Sequence, residues 1–222
     1  MVDSGPQTTE AAARQAVIAT ALAMSRRGLS PGRSGNVSCR WNAGMLITPS
    51  GLAYDAIGPQ DVVFVGPDGT SPPGGRVPSS EWRFHLSAYR ARPDMHAVVH
   101  AHSMHAVILA CAHRPIPAFH YMVAIAGGTD IPCVPYATFG TEELAAHVAT
   151  GLAHRNACLM ANHGQIAIGA TLEAALELAA EVEALAEQYY KVLTLGQAHV
   201  LSDAEMATVL ERFKSYGQRA QD

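Results

Sequence analysis

Val37-Ser38-Cys39-Arg40-Trp41-Asn42-Ala43-Gly44-Met45-Leu46-Ile47-Thr48 is the stretch on which the fold class turns. It holds two short strand-like runs, Val37 to Trp41 and Met45 to Thr48, joined by the turn residues Asn42-Ala43-Gly44. Strands connected this tightly pair antiparallel, so part of the sheet is antiparallel. Upstream, Thr8 to Gly28 reads as an Ala-rich amphipathic helix, with Thr8 or Thr9 as its cap and Gly28 as its stop. A Gly/Ser/Pro loop, Ser30 to Gly35, leads from that helix into the first strand. Downstream, Asp61 to Val65 is a third short apolar strand. Gly66 to Pro78, with four prolines and four glycines, is a surface loop.

From Ser79 the period changes, and Trp82, Leu86 and Tyr89 fall on one helical face that ends at Pro93. Ala97 to Ala101 reads as a strand and Ser103 to Ala112 as a short helix, followed by strand and loop from Pro115 to Phe139. Thr141 to Leu152 is a helix capped by Thr141. Two more strands, Ala157 to Met160 and Gln165 to Ile168, flank Asn162-His163-Gly164. Helices at Thr171 to Thr194 and Asp203 to Tyr216 close the chain. Interleaved helices and strands put helices against a central sheet in one α/β domain spanning residues 1–222, with flexible tails at 1–7 and 218–222. No GxGxxG follows a strand, so a dinucleotide fold has no support.

The 222 residues are 49% hydrophobic and 15% charged, which excludes a disordered chain or a fibre. A net charge of −4 with no basic block argues against a nucleic-acid groove or a polybasic membrane patch. No apolar run approaches the ~20 residues of a membrane span, and the opening MVDSGPQTTE lacks the pattern of a secretory signal. Cys39, Cys111, Cys133 and Cys158 lie far apart without a CxxC, as expected of reduced, buried packing residues in a cytoplasmic protein.

Eleven histidines are present, several of them crowded between His96 and His120. In Val98-Val99-His100-Ala101-His102-Ser103 the two histidines are i and i+2 of a strand, so both imidazoles face one side. The pair is either the start of a transition-metal site or two satisfied core histidines. His163, in a tight turn between apolar strands, would complete a three-histidine set. Glu81, in Pro78-Ser79-Ser80-Glu81, is either the acidic first turn of a Ser-capped helix or a carboxylate ligand. The hydroxyls of Ser79 and Ser80 at a helix start, together with Gly35-Asn36-Val37-Ser38 and Thr48-Pro49-Ser50-Gly51, make three small-residue loops suited to an oxyanion. Three histidines, a glutamate and such loops point to a metal centre beside a phosphate pocket.

GNVS, LITPSG, PSSEW, VVHAHS, FHYM, IPCVPYATFG and NHG occur in this order between Thr9 and Gln218. Together they resemble the class II, metal-dependent sugar-phosphate aldolase/epimerase family, and within it most the L-fuculose-phosphate aldolases. The resemblance implies a three-layer α/β/α sandwich with a central, largely antiparallel sheet, assembled as a cyclic homotetramer with sites between subunits. It implies one Zn2+ per subunit on His100, His102 and His163, with Glu81 as both a metal ligand and the catalytic carboxylate. Phosphate falls to Gly35 and Asn36, Ser50 and Gly51, and Ser79 and Ser80. Tyr121 is implied as a catalytic residue reaching in from a neighbouring subunit, and Phe213 and Tyr216 as substrate contacts from the C-terminal segment. The chain departs from the pattern at Pro31-Gly32-Arg33-Ser34, where Arg33 either adds a phosphate contact or is a solvated loop charge.

The reaction implied is reversible cleavage of a ketose 1-phosphate, such as L-fuculose 1-phosphate, to dihydroxyacetone phosphate and a short aldehyde such as lactaldehyde. Alternatives in the same family are a ribulose-phosphate 4-epimerase and a methylthioribulose-phosphate dehydratase. The non-enzyme alternative is a metal-free, adducin-like structural domain.

Overall fold

The hairpin read from the sequence forms as β1 (Asn36–Trp41) and β2 (Gly44–Ile47) in a computed structural model that describes residues 9–214. Ser38 pairs with Ile47 and Trp41 with Gly44, and the turn between them places Asn42 in the left-handed region. The remaining strands are β3 (Val63–Val65), β4 (Ala97–Ala101), β5 (Ile116–Pro117), β6 (Asp130–Ile131), β7 (Cys133–Val134), β8 (Ala157–Met160) and β9 (Gly164–Gly169). Seven of the strands make one sheet in the order β3-β2-β1-β4-β9-β8-β7, antiparallel at every pairing except β7 with β8. Strands β5 and β6 form a separate antiparallel pair.

Among the described residues, five α-helices cover the sheet, α1 (Glu10–Arg26), α2 (Trp82–Ala91), α3 (Met104–Cys111), α4 (Glu142–Leu152) and α5 (Leu172–Leu195), while α6 (Asp203–Phe213) packs on the Ala118 and Ala124 segment. Strand alternation divides the interior into two cores. Val37, Leu46, Val99, Leu159 and Ala167 face one side and pack with α1, α3 and α5. Met45, Ile47, Val98, Met160 and Ile166 face the other and pack with α2 and α4. The result is the three-layer α/β/α arrangement. His100, two residues on from Val98 and so on the same face, projects into the layer covered by α2 and α4.

Most elements form where periodicity puts them, and the departures have local causes. Strand β3 is shorter than the Asp61-to-Val65 run because Pro59–Asp61 is a 3-10 turn. The Asp61 carboxylate accepts from Gly58 N at 3.0 Å and Arg76 Nε at 2.8 Å, which draws it away from the ladder. Within Pro115 to Phe139, Tyr121–Ala126 is a 3-10 helix rather than strand or loop. The cysteines are not uniformly buried: Cys158 is, Cys39 and Cys133 are partly so, and Cys111 at the end of α3 is exposed. The first helix takes Thr9 as its cap, its Oγ1 accepting from Ala12 N at 3.2 Å; Thr8, like the tails at 1–7 and 218–222 and Tyr216, lies outside the described residues. No helix among the described residues is long and apolar enough to cross a membrane.

Candidate metal centre and active site

Strand β4 ends at Ala101, so His102 stands one residue past the ladder rather than inside the strand. Its imidazole still turns toward His100, and the two Nε2 atoms lie 3.0 Å apart. His100 donates from Nδ1 to the Gln165 carbonyl at 2.7 Å, which leaves the lone pair on Nε2. His163 arrives from the turn between β8 and β9. There Asn162 takes a left-handed conformation, and the His113 ring is hydrogen-bonded to its Oδ1 at 2.6 Å. Gly164 follows because no side chain fits: a Cβ there would sit 2.6 Å from the Ala101 carbonyl oxygen and 3.0 Å from His102 Cδ2. The three rings are nearly perpendicular to one another, with centroids 4.8–4.9 Å apart.

Glu81 completes the set from the start of α2. Its Oε1 is 2.9 Å from His163 Nε2 and its Oε2 3.2 Å from His100 Nε2. The ligand atoms of Glu81, His100, His102 and His163 all lie within 4.8 Å of one another. The helix start differs from a Ser-capped one with an acid in its first turn. Glu81 itself occupies the cap position and makes no side-chain cap bond, while Ser79 Oγ accepts from Glu81 N at 3.3 Å. The carboxylate is diverted because the imidazoles and Asn36 Nδ2, at 2.8 Å, claim it instead.

Burial alone would raise the Glu81 carboxyl, but His100 and His163 outweigh it and hold the group below the usual carboxylate range. Burial, helped by His100 and His163, lowers the His102 imidazole to about 3, so it is neutral. A neutral His102 and an ionised Glu81 are the donor forms that bind a divalent cation. Nitrogen lone pairs converging at 3.0 Å repel unless a cation or a proton lies between them. The residues therefore fit a metal ion, and three N donors with one O donor match zinc-like chemistry.

The three candidate oxyanion loops meet beside this cluster. Pro49 and Pro78 form an antiparallel bridge, with Ser50 N donating to Val77 O at 2.9 Å and Ser79 N to Thr48 O at 3.1 Å. That bridge sets Ser50 against Val77 and Ser79 against Thr48, so the second and third loops meet at Pro49 and Pro78. Arg33 donates to the Gly51 carbonyl at 2.7 Å, fastening the loop before β1 to the second loop. Gly35 lies so close to β4 that a Cβ would meet the His100 carbonyl oxygen at 2.7 Å. Ser50, Gly51 and Ser80 are exposed at the rim, and Ser79 is buried beneath them.

Other predicted residues do not gather at the cluster within one chain. Tyr121 is half exposed, its ring stacked on His120 with centroids 4.8 Å apart. Phe213 packs against the small apolar cluster of Ala118, Ala124 and Met206. The cavity of about 180 Å³ that opens onto Glu81 and His163 is lined instead by Tyr136, Ala137, Phe139 and Asn162. Tyr136 and Phe139 lie in IPCVPYATFG, whose aromatics had no periodic signal to single them out. His85 was also missed, although it stands four residues after Glu81 and so on the same helical face.

The model of the Class II Aldolase and Adducin N-terminal domain family matches residues 15–190. An L-fuculose phosphate aldolase of Escherichia coli O6:H1 is 52% identical over 211 residues, covering 95% of this chain and 97% of that one. A 5-methylthioribulose-1-phosphate/5-deoxyribulose-1-phosphate aldolase of Rhodospirillum rubrum is 51% identical over 210 residues, 95% of each chain. A solved L-fuculose 1-phosphate aldolase superposes with a TM-score of 0.89 at 38% identity, covering 95% of this chain and all of that one. With this fold, this ligand cluster and these relatives, the chain belongs to the class II aldolase family and is an aldolase, a lyase of carbon–carbon bonds.

Proposed function

We propose that the chain cleaves a ketose 1-phosphate between C3 and C4 to dihydroxyacetone phosphate and a short aldehyde, with L-fuculose 1-phosphate as the leading substrate. The observation that carries this reading is the convergence of Glu81, His100, His102 and His163 beside three linked small-residue loops. Zn2+ is the proposed ion, one per subunit, held by the three imidazoles with Glu81 as the fourth donor. When bound, such an ion acts as a Lewis acid for the negative charge that develops on the ketose oxygens.

The remaining chemistry is proton handling and positioning. Gly35, Asn36, Ser50, Gly51, Ser79 and Ser80 are proposed to hold the phosphate, so that binding energy remote from the reacting bond fixes its orientation. Tyr121 of a neighbouring subunit relays the proton of the C4 hydroxyl, accepting it as its own phenolic proton leaves to solvent, while the C4 oxygen becomes the aldehyde. The C3–C4 electron pair moves toward the C2 carbonyl, giving an enediolate. Glu81, ionised in the resting site, takes up a proton from solvent and delivers it to C3, which becomes the hydroxymethyl carbon of dihydroxyacetone phosphate. Association into a cyclic tetramer is part of the proposal, since Tyr121 is half exposed and stacks on His120 rather than on the cluster of its own chain. Exposed Met104, Ile108 and Tyr190 offer apolar surface for it.

A second substrate reading has its own support. The Rhodospirillum rubrum relative, named for 5-methylthioribulose 1-phosphate and 5-deoxyribulose 1-phosphate, is about as similar as the fuculose enzyme. The aromatic wall of Tyr136 and Phe139 suits an apolar sugar end as well as a methyl group. The test compares the three ketose 1-phosphates, and the unphosphorylated sugars, by release of dihydroxyacetone phosphate or the free ketone. Highest kcat/KM on L-fuculose 1-phosphate supports the leading reading; highest on a pentulose phosphate selects the second. Equal efficiency with and without the phosphate removes the phosphate pocket.

A further inference from the structure

Five side chains form a single hydrogen-bonded line that runs through the α2–β1 interface and ends on Glu81. The Tyr89 hydroxyl is 2.8 Å from Ser38 Oγ, and Ser38 Oγ is 2.7 Å from His85 Nδ1. His85 Nε2 is 2.5 Å from Asn36 Oδ1, and Asn36 Nδ2 is 2.8 Å from Glu81 Oε2. His85 and Ser38 are 0% exposed, Asn36 and Tyr89 4%. Two periodicities mesh to make the line. Glu81, His85 and Tyr89 recur every four residues from the start of α2, and Asn36 and Ser38 are two apart on β1.

The line has one consistent direction. Glu81 is ionised and only accepts, so Asn36 must turn Nδ2 toward it. Asn36 Oδ1 then faces His85 and accepts, which puts the imidazole hydrogen on Nε2. Nδ1 carries the lone pair and takes the Ser38 hydroxyl hydrogen, while Ser38 Oγ accepts from Tyr89. Reversing any link sets donor against donor or acceptor against acceptor, with no bulk water to relieve it. Burial lowers the His85 imidazole to about 3 and raises the Tyr89 phenol, so both hold the protonation the line requires.

We propose that His85 is a positioning residue for Glu81. Acting through Asn36, it holds the carboxylate in the orientation from which Glu81 exchanges a proton with the substrate, and Ser38 and Tyr89 hold His85 in the Nε2–H tautomer. Both ends of the Asn36 amide are thereby engaged and its backbone faces β4 in the ladder, so Asn36 meets a phosphate through its second amide hydrogen. The inference rests on the reading of Glu81 as the proton carrier.

The test combines kinetics with a direct view of the ring. In 15N–1H spectra of the metal-free protein at neutral pH, His85 shows a protonated Nε2 and a bare Nδ1; an Nδ1–H tautomer or a charged ring overturns the proposal. In the metal-loaded enzyme, His85→Leu lowers kcat by about 10- to 100-fold, while KM and bound metal stay within about twofold of the parent. His85→Gln, which keeps a donor at the Nε2 position, restores most of the rate. His85→Asn, which keeps only the Nδ1-side acceptor, does not. Equal rates for the Gln and Asn variants overturn the proposal, and this pair decides if the Leu variant fails to fold. In an Asn36→Ala background the His85 substitutions add nothing further; full additivity shows that His85 does not act through Asn36. Glu81→Gln serves as the control. If it turns over like the parent, the proton-carrier reading falls. If it is slow while all His85 variants are fast, this inference falls alone.

Discussion

Asn36 of β1 stands directly opposite His100 of β4 in the sheet, and the same pairing brings its amide to 2.8 Å from Glu81. Cross-strand partners share a face. One register therefore sets both a metal-site imidazole and the amide that holds the fourth donor. A slip by one residue would turn His100 into the opposite core and Val99 into the site.

His102→Ala removes one of three imidazoles at a site where donor atoms crowd within 4.8 Å. Bound zinc, measured by elemental analysis after dialysis, is expected to fall to roughly a tenth or less, with turnover lost alongside. Stoichiometric zinc in the variant shows that His102 is not a ligand.

Glu81→Gln keeps the three imidazoles and the Asn36 contact but removes the proton carrier. Metal content is expected to persist while kcat falls ~100- to 10,000-fold. A variant within a few-fold of the parent reduces Glu81 to a structural residue at the start of α2.

Gly164→Ala tests the close approach of β9 to the site. The added methyl would sit 2.6 Å from the Ala101 oxygen and 3.0 Å from His102 Cδ2, so strand or ring must shift. A destabilisation of about 1–3 kcal/mol in urea unfolding and weakened metal binding are expected together. Unchanged metal affinity means that the strand gives way and His102 does not.

Stability of the metal-free protein should fall with acid because of His85. Its folded imidazole lies near about 3 and its unfolded one near about 6.5, so between those values the unfolded chain binds the extra proton. The His85 contribution is complete above about pH 6.5 and lost progressively toward about pH 3, up to roughly 5 kcal/mol. Urea unfolding from pH 7 to 4 should show a slope shallower by up to one proton in His85→Gln. Parallel slopes would mean that His85 titrates normally in the fold.

Subunit complementation tests the shared site. Tyr121→Phe and Glu81→Gln proteins, each inactive alone, are mixed under conditions that allow exchange. If a site takes Glu81 from one chain and Tyr121 from the next, part of the activity returns. No recovery despite proven exchange places both residues in one chain's site.

The sequence by itself determined what short-range physics can report. The boundaries of β4 and β8, the hairpin of β1 and β2, and the Thr141 cap of α4 follow from alternation, turn chemistry and local capping. His100 and His102 were legible as a same-side pair for the same reason, although His102 lies beyond the strand. Only the tertiary structure decided that His163 and Glu81 reach that pair from segments sixty-odd and nineteen residues away, and that the Glu81 side chain turns to the imidazoles instead of making a cap bond. Only it joined Asn36 and Ser38 to His85 and Tyr89, whose own spacings state which face each occupies but not what covers that face. It also stacked Tyr121 on His120 and lined the cavity with Tyr136 and Phe139, positions set by segments without a period. Periodicity fixes the direction of a side chain relative to its own element. Which element stands opposite depends on how the two cores close on the sheet, and that is a property of the whole chain.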